Sequence, residues 1–449
     1  MSNRYASAGL LLVSLFGVML FSTPGAAQQA DPALLAKIDD IQAIDNHSHT
    51  PALTAPGEKD DDYDALPCEP LEPTEPTLTG LPDNSAFLEA WKSLFGYPYN
   101  DRSPAHIKEL LAAKTRIRRQ QGDHYPDWVL DHLGIETEMS NRIAMGRGLD
   151  PPRFRWVPFD DTVLFPLDNS QLADATPDRK IFFSREGAIL SAYLKALGKS
   201  EPPATLDAYL SEVVTPTLES QREAGAVAIK FEAAYLRSLD FEPAAKERAA
   251  QVYARWAHAG APPGADYAIL QNYLFRYIAA EAGRLRMPVH IHTGFGCGSY
   301  FKLAGSNPLL LESVLDDPAL RKTNFVLLHG GAGAYSRWVG DLLMKPNVFT
   351  DMSEQTWLLP TRQVSHVVRD WLEMYPDKVM FGTDLSPGTP EIGWEEIGWQ
   401  TTRSARRALA IALTGMMNDR EITRARAEQI ARMVLRGTAL KLYGWKDTE

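Results

Sequence analysis

PVHIHTG at residues 288–294 and NFVLLHGG at residues 324–331 decide the fold. Each is a short apolar run that reaches a histidine and then a glycine turn, and each reads as a buried strand. Side chains two apart on a strand point the same way, so His290 and His292 share a face. Six further runs have the same character: IQAIDNHSHT (41–50), IETEMSNRIAMG (135–146), FRWVPFD (154–160), AVAIKF (226–231), NVFTDMS (347–353) and VMFGTD (379–384). Helical stretches separate several of them, among them DYAILQNYLFRYIAAEAGRL (266–285) and HVVRDWLEMY (366–375). Strands alternating with helices argue for a parallel sheet, and eight such units close into a (β/α)8 TIM barrel with its helices outside. ITRARAEQIARMVLRGTALKLYGW (422–445) reads as two closing helices. A long insertion follows the first strand, from about 51 to 133. Its first part, to about 83, is rich in Pro, Asp, Glu and Thr and has no steady period; the remainder reads as helical and exposed.

The 449 residues, 45% hydrophobic and 23% charged, suit one large domain over 28–449, because barrels of this kind run long as single units. Lys and Arg number 46 against 57 Asp and Glu, a net charge of −11. That balance argues against a broad footprint for nucleic acid or anionic lipid and leaves a small molecule as the expected partner, with a homo-oligomer open. Two cysteines exclude a disulfide-rich scaffold and a multi-cysteine zinc module. Residues 1–27 have the layout of a secretory signal peptide: Arg4, an apolar run from Ala8 to Phe21, a break at Ser22–Gly25, and Ala26-Ala27 for cleavage. The run falls short of the ~20 apolar residues of a membrane span. The expected product is a soluble protein exported to a bacterial periplasm. In that oxidising space Cys68 and Cys297 either pair or stay separate thiols.

Chemistry-bearing residues fall at the ends of the strands. His47 and His49 follow the first apolar run at a spacing that lets two imidazoles reach one cation. Lys230 ends AVAIKF; it is either a plain strand-end lysine or one carboxylated by carbon dioxide to bridge two metals. His292 is nearer its strand end than His290, which sits a layer deeper as a packed histidine. His329 ends NFVLL, where the glycines let the chain turn sharply and let a substrate approach the backbone. Asp384 ends the last strand, placed to bind a cation and to take a proton from water. Each has a structural alternative taken alone. In a barrel, however, these ends converge on the single mouth where active sites of this fold lie.

These residues resemble the amidohydrolase superfamily: DNHSHT, the lysine of AIKF, His292 in HIHTG, His329 in LLHGG and Asp384 in GTD. More narrowly they resemble its amidohydrolase-related branch of metal-dependent barrels. The stretch from Pro288 to Ser353 is similar to the amidohydrolase-like domain that some proteins carry fused to a glutamine-synthetase domain. The resemblance spans about Ile38 to Trp445, with the insertion poorly matched. It implies that His47, His49 and Asp384 hold a divalent metal, zinc by preference, completed by His292 in a one-metal enzyme. In a two-metal enzyme His292 and His329 hold the second ion, with carboxylated Lys230 between. With one metal, His329 instead stabilises charge on the substrate.

The function expected is a metal-dependent hydrolase that cleaves an amide, lactone or ester of a small molecule, with Asp384 and His329 as catalytic residues. A metal-dependent decarboxylase of a small carboxylic acid is the first alternative and a non-catalytic binding barrel the second. Tyr235, Arg237 and Arg337 are candidates to grip a substrate carboxylate, or form surface salt bridges. Asp351 either accepts a hydrogen bond from a ligating histidine or plays a structural part. Trp91, Phe95 and Tyr97 either belong to a lid or pack the insertion down.

Overall fold

In the computed structural model, which describes residues 29–55 and 57–447, the eight runs form eight strands: β1 (Ala43–Ser48), β2 (Ile135–Asn141), β3 (Phe154–Val157), β4 (Ile229–Phe231), β5 (Val289–His292), β6 (Phe325–Leu328), β7 (Val348–Asp351) and β8 (Val379–Met380). The expected signal peptide lies outside the described residues. All neighbouring strands are parallel, in the orders β1-β2-β3 and β4-β5-β6-β7-β8. Backbone hydrogen bonds join the two groups at both edges. Lys230 N–H donates to the Pro158 carbonyl (2.8 Å) and Asp160 N–H to that of Lys230 (3.0 Å). On the other side Asn46 N–H donates to Phe381 (3.0 Å) and Asp384 N–H to His47 (2.8 Å). The strands thus close into a (β/α)8 barrel, with no free sheet edge among the described residues.

Alternation along each strand divides the core. Ile44, Met139, Val157, Val326, Leu328 and Met380 pack in one cluster with Ala439 and Leu440 of the last helix, Thr438–Tyr443. Residues of opposite parity, such as Ile229, Val289, Ile291 and Phe325, join the main core under the helices. Burial on both faces explains why the strands read as nearly unbroken apolar runs. Among the helices that the sequence pattern does not single out are Pro177–Ala196 and Trp394–Asn418. The second is buried on most sides, so no single apolar stripe marks it.

The insertion has two parts. Residues 51–83 carry no helix or strand among those described, and form a strap across the mouth. Helices Ser85–Phe95, Pro104–Gln121 and Tyr125–Leu133 follow. Trp91, Phe95 and Tyr97 are buried in a small core with Leu94 and Leu110, so they pack the insertion down. Lys114 and Arg118 bind the buried carboxylates of Glu396 (2.9 Å) and Glu395 (2.6 Å) on Trp394–Asn418. No helix of the described residues is long and apolar enough to cross a membrane.

The strap is fastened along its length. Arg142 grips Asp60 with two nitrogens (2.8 and 2.6 Å), Arg185 donates to the Asp64 carbonyl (2.8 Å), and Ser299 N–H donates to that of Glu72 (3.0 Å). Cys68 and Cys297 are joined in a disulfide across 229 residues of sequence. Cross-links of this type contribute about 2–4 kcal/mol. Cys68→Ser combined with Cys297→Ser is expected to lower the melting temperature and to speed proteolysis within residues 51–83, with the far-ultraviolet spectrum retained. Unchanged cleavage would show that the hydrogen bonds alone hold the strap.

Candidate metal centre

The strand ends bring their polar side chains to one point. His47 Nε2 lies 3.1 Å from Asp384 Oδ1, and His49 Nε2 lies 3.6 Å from the same oxygen. The His329 ring is centred 4.9 Å from that of His47 and 4.7 Å from that of His292. Lys230 Nζ, wholly buried, is 3.4 Å from His47 Nε2 and 3.5 Å from Glu232 Oε1. Ligand atoms of His47, His329 and Asp384 all fall within 4.8 Å of one another, as do those of His49, Asp64 and Glu232. His290 lies deeper, with its Nε2 2.6 Å from the Tyr443 hydroxyl.

The protonation states suit a cation. Burial pushes His47, His292 and His329 well below the usual imidazole range, and Lys230 adds to the effect in each, so these rings stay neutral. His292 Nε2 is buried with no hydrogen-bond partner. Burial works the same way on His49, but Asp64, 2.9 Å from its Nδ1, together with Asp384 and Glu232, holds it at about 9. Burial raises Asp384 to about 6 against the pull of His49 and Lys230, and raises Glu232 to about 7. Three neutral imidazoles and a surplus of carboxylates over Lys230 form a donor set that fits a divalent ion, whose charge would replace the proton on His49.

Backbone geometry aims these groups. His329 (φ 64°), Glu354 (φ 59°) and Asp384 (φ 55°) all carry a positive φ just past their strands, a backbone that costs about 1–3 kcal/mol each for a side chain other than glycine. Asp351 takes hydrogen bonds from His329 N–H (2.9 Å), Asn46 Nδ2 (2.8 Å) and Ser353 Oγ (2.6 Å). With its proton turned to Asp351, Ser353 Oγ accepts from His329 Nδ1, 2.9 Å away. This chain leaves His329 Nε2 a bare lone pair facing the other rings. Ser353→Ala is expected to preserve the fold and weaken divalent-metal retention by about tenfold or more, read by competition with a chelator. Retention equal to that of the parent protein would remove the Ser353 relay.

Other expectations fare unevenly. Tyr235 lines the cavity above the centre, its ring 4.8 Å from that of His292. Arg237 does not reach it: its guanidinium donates to Gln271 (2.9 Å) and Asn272 (2.8 Å) and covers the Phe241 ring. Arg337 is exposed on helix Ser336–Leu342 and does not line the cavity either. Among the described residues, no arginine lines the cavity to clamp a carboxylate. Gly330 and Gly331 admit no substrate; a Cβ on Gly330 would meet the Trp371 ring at 2.1 Å, so glycine serves the tight packing of the turn. Sequence reasoning missed Asp64, Glu232 and Glu354. Glu232 stands two residues beyond Lys230, the same spacing that singled out the histidine pairs. Asp64 and Glu354 lie in segments with no readable period.

A ring of histidines and carboxylates at the C-terminal mouth of a (β/α)8 barrel defines a metal-dependent enzyme of the amidohydrolase superfamily. The amidohydrolase family model matches residues 199–445, and the chain belongs to that family. No curated protein sequence matches it. Among solved structures it is similar to a Lactobacillus casei protein assigned as a metal-dependent hydrolase (18% identity, TM-score 0.55, 93% of this chain and 98% of that one). It is also similar to the glucuronate isomerase of Caulobacter crescentus (12% identity, TM-score 0.56, 93% and 94%) and the uronate isomerase of Thermotoga maritima (13%, 0.53, 93% and 98%). At these identities the likeness is one of fold.

Proposed function

We propose that the protein is an exported, zinc-dependent hydrolase that cleaves an amide, lactone or ester bond of a small molecule. The observation that carries this reading is the convergence of neutral imidazoles and the Asp384 carboxylate on one buried point, beneath a cavity of about 680 Å³. His47, His49 and Asp384 would hold the ion, with His292 and His329 beside them. The ion supplies Lewis acidity toward water and the substrate carbonyl. Asp384 holds the attacking water, accepts its proton and returns it to the leaving group. The strap and Tyr235 shield the site from bulk solvent.

Lys230 Nζ lies 3.4 Å from His47 Nε2 and 3.5 Å from Glu232 Oε1, a position that serves the site either as the plain lysine or, carboxylated, as a bridge between two ions. Export rests on the signal-like leader at 1–27 and on the Cys68–Cys297 bond, which suits an oxidising compartment. One barrel domain over 28–449, with the insertion as its cover, completes the proposal. Chelation followed by dialysis is expected to abolish hydrolysis across a panel of chromogenic esters, lactones and anilides, and stoichiometric zinc to restore it. Activity that survives full metal removal would overturn the reading.

A further inference from the structure

The cavity over the metal centre is one-sided in charge. Asp64, Glu232, Glu354 and Asp384 line its depth, and Glu69, Glu72 and Glu75 of the strap stand at its rim; no lysine or arginine lines it among the described residues. Tyr63, Phe87, Phe295, Trp357 and Ile392 supply apolar wall. Glu354 departs from the rest. It belongs to neither group of mutually close ligand atoms, is only 3% exposed, and its Oε2, like Oε2 of Glu232 in the second group, has no hydrogen-bond partner. Its backbone is held at a positive φ just past β7. A buried carboxylate oxygen without a donor costs free energy unless something outside the chain satisfies it. A glutamate at positive φ is retained only where its surroundings over-determine it.

We infer that this cavity takes a substrate carrying a positively charged nitrogen group, an amidinium, guanidinium or ammonium, that docks on Glu354 while its apolar body lies along Trp357 and Phe87. The inference deepens the hydrolase reading by naming a substrate class, and it rests on that reading for the reacting bond. It reverses the expectation of a carboxylate held by arginines. A cationic nitrogen gives Glu354 the donors it lacks, and charge-assisted hydrogen bonds are roughly twice as strong as neutral ones. The aromatic wall adds attraction for a cation. The rim carboxylates raise the local concentration of such a ligand.

The test is binding rather than turnover. Benzamidine and benzamide have nearly the same shape and differ in charge, and titration calorimetry on the zinc-loaded protein compares them directly. Benzamidine is expected to bind at least about tenfold more tightly, as a charge-assisted pair would give. In Glu354→Gln the two are expected to bind alike, with zinc content unchanged. Glu72→Gln with Glu75→Gln, on the exposed strap, is expected to reduce the preference only at low salt. Equal binding of the two probes to the parent protein overturns the inference, as does a preference that survives Glu354→Gln. Repeating the titration on metal-free protein separates the two claims. A preference that persists while hydrolysis is absent keeps the cation site and isolates any failure in the hydrolase reading.

Discussion

Asp384→Asn is expected to lower turnover by at least about a hundredfold while leaving the fold in place. The substitution is nearly isosteric, and asparagine tolerates the positive φ that position 384 adopts (55°) better than most residues. The turn that hydrogen-bonds Asp384 N–H to the His47 carbonyl is therefore kept. What is lost is an anionic oxygen 3.1 Å from His47 and 3.6 Å from His49, and with it the group proposed to take a proton from water. Turnover on the best substrate of the panel, circular dichroism and zinc content together check the result. Near-normal turnover would remove the proton-transfer role from Asp384.

Replacing both His47 and His49 by alanine should take the bound divalent metal, proposed to be zinc, from the parent level to nearly none, because affinity falls steeply when two of the few donors disappear. His47 is fully buried against Asn141 and Lys230, and His49 is set between Asp64 and Asp384, so each ring is fixed before any ion arrives. His132→Ala, on an exposed histidine, controls for nonspecific loss. Plasma emission analysis of the purified variants gives the count. An unchanged count would exclude the pair as ligands.

The sequence carries much of the barrel because its strands are buried on both faces, and apolar runs ending in polar residues are hard to produce otherwise. β4 through β8 and their terminal residues follow the pattern closely. β1 carries irregular register between Asp45 and Ser48, yet His47 and His49 both reach Asp384. Strand ends were legible; what lies across them was not. Asp64 reaches His49 through a segment with no regular hydrogen bonding, and only tertiary fastening by Arg142, Arg185 and Cys297 puts it there. Arg237 and Arg337 show the opposite case. Proximity in sequence to a strand end suggested a substrate clamp, but packing turned the first onto Gln271 and Asn272 and left the second in solvent.

The bond between Cys68 and Cys297 encloses β2, β3, β4 and β5 within one covalent ring. Its two sulfurs are far apart in sequence, so the bond ties the strap to the segment after β5 and keeps those two stretches together even when the strands between them lose their order.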